Sequence, residues 1–303
     1  MHSHALIAVP SALVPAAFAC ATTFLPVLAV FGVASAAGAS YQSGYAHFGS
    51  VSDTIQVLGN THFGASYGAP RPGYGDFTYE MNIRISEGAG MGHIISEQRD
   101  TWEDKTMVLG AGGEYAFSGL SDDPTGTVHG SISGFRSDQW MHLAYVKYGS
   151  AVTIYVDGRA VASHTAAFQY PDHDGSWMSI GMFRYGAGYI PTSARPSFLG
   201  DLDWLRVSAG AKYTSNFVAP TESEISADAS TQLLLRFNEA AGTSVLIDES
   251  ANRFTCNMGV AVYPGVVATA PALMYGAVPA PGALAMLGAG AVFGLSRRRR
   301  CGM

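Results

Sequence analysis

Asp201 and Asp203 stand two residues apart in the run FLGDLDWLRVS, a spacing that places both carboxylates on one face of a β-strand. Two carboxyls about 5–5.5 Å apart, one kept protonated, are what a retaining glycoside hydrolase requires. The next residues on that face would be Leu205 and Val207, however, and two aspartates above an aliphatic surface are read first as hydrogen-bonding neighbouring turns. Asp172 and Asp174 precede Gly175 and offer hard oxygens two residues apart, suited to Ca2+; Asp122 and Asp123 are a second acidic offer. Arg184, Tyr185, Tyr189 and Arg195 lie in a Gly- and Pro-rich stretch that could present aromatic faces and guanidiniums to a sugar. His142, between Met141 and Leu143, is read as a core histidine, and the nine histidines have no tight ligand spacing. There is no Gly-x-Ser-x-Gly elbow and no phosphate loop.

Composition narrows the setting. The 303 residues carry a net charge of −6, but four of the 17 basic residues are Arg297, Arg298, Arg299 and Arg300, and the first 40 residues contain none. Setting both ends aside leaves 13 basic against 23 acidic residues, a net charge of −10. So acidic a body repels phosphate backbones, which excludes nucleic acid as a partner class. Of the three cysteines, Cys20 and Cys301 lie in the terminal segments, so Cys256 is alone in the body and no disulfide framework or zinc spacing exists.

The elements that must position these residues read as strands. Residues 140–164 form a meander: Val152, Ile154 and Val156 alternate with Thr153 and Tyr155, and Asp157-Gly158 supplies the positive φ pair of a type I′ hairpin turn. Residues 77–86 alternate Phe77, Tyr79, Met81, Ile83 and Ile85 with Thr78, Glu80, Asn82 and Arg84, the pattern of a half-buried antiparallel strand. Further strands are expected at 54–58, 94–97, 106–109, 115–118, 128–133, 178–183, 198–208 and 231–237. A charged loop is expected at 97–105, and a turn at Asp248-x-Ser250-x-Asn252. Short strands separated by turns imply an all-β, two-sheet antiparallel jelly-roll sandwich.

Several of these stretches resemble the laminin G-like (concanavalin A-like lectin-glucanase) jelly-roll family. Trp140, His142 and Ala144, then Tyr155-Val156-Asp157-Gly158, look like the middle of that family. The runs GDFTYE (75–80), IISEQ (94–98), FLGDLDWLRVS (198–208) and AKYTSNF (211–217) followed by Pro220 are similar to its other strands, in the same order. The resemblance covers residues 41–263. It implies Ca2+ at the sandwich rim as the one cofactor to look for, for which Asp172 with Asp174 is the best local offer and Asp122 with Asp123 the second. Its glycan-cleaving relatives of the laminarinase type project carboxylates from one strand, which is the alternative reading of Asp201 and Asp203.

The ends read as addresses. Residues 1–39 are apolar and finish in VASAAGA, offering Ala-x-Ala cleavage after Ala36 or Ala39, and are read as an export signal, with an uncleaved anchor as the alternative. Val278-Pro279-Ala280-Pro281, the thirteen-residue apolar run 283–295 and the arginines Arg297 to Arg300 resemble the bacterial PEP-CTERM sorting signal, with Ala280 where that motif has Glu. The run is short of the ~20 residues that cross a bilayer as a helix. The arginines would hold its end on the cytoplasmic side. This resemblance implies an exosortase-type processing enzyme and membrane contact through a short C-terminal helix. The expected organisation is an export signal at 1–39, a jelly roll at 40–263, an Ala/Pro/Gly linker at 264–277 and a sorting signal at 278–303. Together these readings point to a non-catalytic binding or structural protein of the cell envelope, outer surface or extracellular matrix. Its rim loops would recognise polysaccharide or a surface protein; the rival is a glycan-degrading hydrolase.

Overall fold

Phe77, Tyr79, Met81, Ile83 and Ile85 turn one way along β3 (Phe77–Ile85) and are buried in the main core. Met141, Leu143 and Tyr145 of β8 (Met141–Tyr148) and Leu202, Leu205 and Val207 of β12 (Gly200–Ala209) join them from the flanking strands. The computed structural model describes residues 41–58, 75–99, 102–118, 127–165, 177–182, 197–259 and 268–278. All belong to one unit, Gly38–Met303; the other, Met1–Ala37, lies wholly outside the described residues. Among the described residues no helix is long and apolar enough to cross a membrane.

Two eight-stranded sheets enclose that core. The first runs β10 (Arg159–Thr165), β9 (Ala151–Val156), β8, β3, β12, β1 (Tyr41–Phe48) and β16 (Ala272–Val278), with β13 (Thr231–Leu235) also paired to β12. The second runs β14 (Val245–Ile247), β15 (Thr255–Met258), β2 (Ile55–Leu58), β11 (Trp177–Ile180), β4 (Gly92–Arg99), β5 (Trp102–Leu109), β6 (Glu114–Ser118) and β7 (Thr127–Ser131). Strand neighbours in both sheets pair antiparallel. This is the expected jelly-roll sandwich. The Tyr79 hydroxyl donates to Glu97 across the core, and Tyr115 is hydrogen-bonded to His164 at 2.6 Å, so polar contacts tie the sheets as well as apolar ones.

The central meander forms as read: Asp157 and Gly158 sit at φ 48° and 75° between β9 and β10. Gly158 has a second reason to be glycine, because a Cβ there would lie 2.0 Å from the Phe217 carbonyl oxygen. Three expectations are corrected. The segment 97–105 is no charged loop: β4 continues to Arg99 and β5 begins at Trp102, with Arg99 opposite Trp102. Charged side chains are compatible with a ladder because backbone groups alone make it. The second correction concerns the proposed linker, whose described part is the edge strand β16, in register with β1 from Tyr41 opposite Val278 to His47 opposite Ala272. Its apolar residues do not alternate with polar ones, since the buried Leu273 is followed by the exposed Met274 and Tyr275, so no period-2 pattern marks the strand; Leu273 and Val278 are buried. The jelly roll therefore extends to Val278, the first residue of the sorting motif.

The third correction concerns the outer face of β3. It is buried, not solvated: Thr78, Glu80 and Asn82 are at most 2 % exposed. The chain following β12 lies across it. Lys212 N donates to Thr78 Oγ1 at 2.9 Å, and the Tyr213 and Phe217 rings stack 3.5 Å apart beside His142. Beneath them Glu80 accepts from Arg206 Nε at 2.7 Å, from Tyr213 Oη at 2.8 Å and from His142 Nε2 at 3.3 Å. A carboxylate only accepts, so Nε2 carries the shared proton. Burial alone raises the Glu80 pKa; the His142 hydrogen bond, the Arg206 charge and the Tyr213 hydroxyl overrule it, and the group stays below its ordinary 4.5.

Because the folded pKa is depressed, the Glu80 contribution is fully present above pH 4.5 and disappears as the pH falls through the folded value. Glu80→Gln, which strips Arg206 of its buried counter-charge, is expected to cost about 3–5 kcal/mol at neutral pH. In urea denaturation the gap between variant and wild type should close as the pH is taken below 4.5; a gap independent of pH would refute the ionised network. A chain stopped after residue 263, lacking β16, should lose about 3–6 kcal/mol from the buried Leu273 and Val278 alone. Comparison of its thermal melt with that of the full chain checks this.

Candidate functional site

Asp201 and Asp203 both lie on β12, but a bulge between Leu202 and Trp204 changes what they face. Strict alternation would put Leu205 and Val207 on their face. With Asp203 as the extra residue, Leu202, Leu205 and Val207 all enter the core, while Asp201, Trp204 and Arg206 point to the outer side. Asp201 accepts from Arg84 Nε at 2.7 Å and bonds His47 Nδ1 at 2.7 Å; Arg84 in turn lies 5.2 Å from the Trp140 ring centroid and 5.9 Å from that of Tyr45. Asp203 Oδ2 accepts from Asn82 Nδ2 at 3.1 Å. With the two residues 3 % and 2 % exposed, neither carboxylate is presented to a glycosidic oxygen.

The other described candidates are structural too. His142 is fully buried, though toward the covering segment and not the main core, and its Nδ1 has no partner. Asp157 accepts from the His142 amide at 3.0 Å and so ties the hairpin turn to β8. Asp248 closes the expected turn: Oδ1 takes the Leu234 and Ser250 amides, Oδ2 the Phe254 amide and the Ser250 hydroxyl. Every lone-pair direction that a cation would use is thereby taken by a donor of the chain. Cys256 is free and buried, and burial pushes its thiol pKa up, which leaves it unreactive. Among the described residues no three His, Cys, Asp or Glu side chains group closely enough to hold a metal ion. Asp122, Asp123, Asp172, Asp174, Arg184, Tyr185, Tyr189 and Arg195 lie outside the described residues, as do Pro279, Ala280, Pro281 and Arg297 to Arg300. Val278, the remaining sorting-motif residue, ends β16.

What sequence reading missed is a row across the second sheet. Asn257 on β15 is in register with Gln56 on β2, Gln56 with Ser179 on β11, and Ser179 with Ser96 on β4. Their strand neighbours Cys256, Ile55, Val57, Met178, Ile180 and Ile95 fill the core, so these four side chains belong to the outer face. Gln56, Ser96 and Ser179 are only 2 %, 1 % and 4 % exposed. Yet Gln56 Oε1, Gln56 Nε2 and Ser96 Oγ have no hydrogen-bond partner. Each such group costs about 1–3 kcal/mol while it remains unpaired. The signal in the sequence was weak: a lone Gln or Ser between apolar residues, in strands whose alignment only the fold reveals.

Comparisons place this architecture. The family model for the concanavalin A-like lectin/glucanases superfamily matches residues 59–216, just over half of the chain. Solved structures similar to it include a protein of Bacteroides ovatus ATCC 8483 named as a candidate carbohydrate binder, 14 % identical with a TM-score of 0.49 over 79 % of this chain and 61 % of that one. A heptameric SAP-like pentraxin from Limulus polyphemus is 14 % identical, with a TM-score of 0.43 over 72 % and 95 % of the two chains. The LG4-5 domains of mouse laminin alpha1 are 15 % identical, with a TM-score of 0.40 over 68 % and 49 %. None of the curated proteins compared with the sequence matches it. With its two antiparallel sheets and a family match over residues 59–216, the chain belongs to the concanavalin A-like lectin/glucanases superfamily.

Proposed function

We propose that the protein is an exported, non-catalytic binding protein of the cell envelope or extracellular matrix that recognises polysaccharide or a surface partner. One contrast carries the reading. The carboxylates spaced for hydrolysis, Asp201 and Asp203, are engaged inside the protein, whereas the outer row of the second sheet holds buried polar groups without partners. Binding needs surplus hydrogen-bonding capacity on a rigid frame; hydrolysis needs an acid and a base that reach the substrate. Family membership supports a binding role, and the family also includes glucanases. Recognition through the rim residues Arg184, Tyr185, Tyr189 and Arg195, with Ca2+ at Asp172 and Asp174, belongs to the same proposal.

Export followed by tail processing is the second part of the proposal. Two features support it: β1 starts at Tyr41, just beyond the expected cleavage after Ala39, and Tyr41 is paired with Val278, where the sorting motif starts. A cut after Ala39, or beyond Val278, leaves every described strand intact.

A glycan array probed with the full chain, with and without chelator, should show retention with no release of sugar. Asp201→Asn removes the charge facing Arg84 and His47, and is expected to cost about 1–3 kcal/mol of stability and leave binding unchanged. Turnover that disappears in Asp201→Asn or Asp203→Asn would establish the hydrolase instead. Mass spectrometry of the protein recovered from the envelope should find an N-terminus at residue 37 or 40 and no Arg297 to Arg300; an intact chain in the cytosol would end the export reading.

A further inference from the structure

Resting on the export and tail reading, we infer that the lateral edge formed by β14 and β16 lies against the surface of a lipid bilayer, beside the tail. Of the eight large apolar side chains that stand exposed among the described residues, four are here: Val245 and Ile247 on β14, 45 % and 59 % exposed, and Met274 and Tyr275 on β16, 43 % and 55 % exposed. The two strands belong to different sheets. They meet at Glu239, whose carbonyl oxygen accepts from the Tyr275 hydroxyl and whose Oε1 accepts from Ile247 N at 2.7 Å. The four side chains therefore flank one edge of the sandwich and not two distant ones. Neither strand contains a charged residue, in a body whose net charge is −10. Glu239 Oε2 is shut off from solvent, and Glu249, two residues beyond β14, is paired with Arg236 at 2.9 Å.

The polar groups of this edge point to an apolar partner. A strand from a second copy or a peptide would hold on by backbone hydrogen bonds. At β14, however, Ile247 N is already taken by Glu239 and the Val245 carbonyl by Thr243 Oγ1 at 3.0 Å. Backbone groups satisfied from within are what contact with lipid demands, because a bilayer offers them no partner. A tyrosine beside aliphatic side chains suits the boundary between headgroups and acyl chains. Chain length selects the lipid. Five Cα steps separate Val278, the end of β16, from Ala283, where the apolar run 283–295 starts, a reach of at most ~18 Å. Tyr275 lies three residues before Val278, so an inserted run draws the edge to the surface. The end of the sandwich where β16 stops is the poorer contact. It carries the ion pairs Lys147–Asp76 and Lys212–Asp228, and Tyr148 is the exposed large apolar side chain among its described residues.

The full chain bound to phosphatidylcholine vesicles tests the assignment, with an environment-sensitive thiol label at one site at a time. Cys20 and Cys301 are replaced by Ser, and the buried Cys256 stays unlabelled. Labels at Ile247→Cys and Met274→Cys should be quenched by nitroxide-bearing lipid several-fold more strongly than labels at Val161→Cys on β10 and Val51→Cys, which are exposed apolar positions away from this edge. Ile247→Lys combined with Met274→Lys, at exposed positions and so with little effect on the melt, should weaken vesicle partitioning about tenfold, the scale of uncovering about one apolar side chain. Because neither strand offers a cation, partitioning should need no anionic lipid and change little between about 0.1 and 0.5 M salt. Equal quenching at all four sites on a chain that sediments with the vesicles would overturn the assignment and leave the tail reading standing. So would a lipid-free dimer that the double lysine variant breaks, which would make a second copy the occupant. A wild-type chain that stays in the supernatant would overturn the tail reading itself, and this assignment with it.

Discussion

A single buried carboxylate organises the first sheet. Glu80 on β3 binds Arg206 from β12, His142 from β8 and Tyr213 from the segment beyond β12, so four parts of the chain meet at one group. Two adjacent strands can slip past one another by two residues with little change in their apolar pattern. A charge that must find its partner cannot. Leaving Glu80 or Arg206 buried alone is penalised far more heavily than a shifted methyl group, so the network sets the register of β8, β3 and β12 as firmly as the core does.

The bulge at Asp203 is what makes that network possible. Were β12 to alternate regularly through Asp203, it would present Arg206 to the core and Leu205 and Val207 to the outside. With the bulge, three aliphatic residues enter the sandwich, and Arg206 and Trp204 emerge beneath the covering segment, where Trp204 packs with Ile225 and Leu234. The covering segment in turn bonds the hairpin, through Phe217 N to the Gly158 carbonyl and Asn216 to the Ala160 amide. One irregular residue thus turns the outer face of the first sheet into a second, partly ionic core. That face is thereby committed to stability.

Both sheets keep buried polar atoms without hydrogen-bond partners on their outer faces: Asn82 Oδ1, His142 Nδ1 and Trp204 Nε1 in the first, Gln56 Oε1 and Nε2 and Ser96 Oγ in the second. What sets the first sheet apart is charge: the Glu80 carboxylate and the Arg206 guanidinium are paired beneath the covering segment.

How much was legible depended on whether the signal was local. The alternation of β3, the Asp157-Gly158 hairpin, the turn at Asp248 and the two-sheet class could be read directly, since strand period and turn stereochemistry belong to neighbouring residues. Asp201 and Asp203 were found but placed in the wrong company, because a bulge leaves no mark in the residue pattern. The edge strand β16 passed for a linker because its apolar residues do not alternate with polar ones, and its ladder with β1 joins stretches far apart in sequence. The row Asn257, Gln56, Ser179 and Ser96 was invisible for a related reason: its members come from four distant stretches and become neighbours only by cross-strand register. The chain by itself determined which segments would be strands and which side of most of them would be apolar, for those are short-range steric and hydrophobic properties. Tertiary structure alone decided which strands lie side by side, and hence which polar groups are satisfied and which are left open, because hydrogen bonds between strands join residues that the sequence keeps far apart.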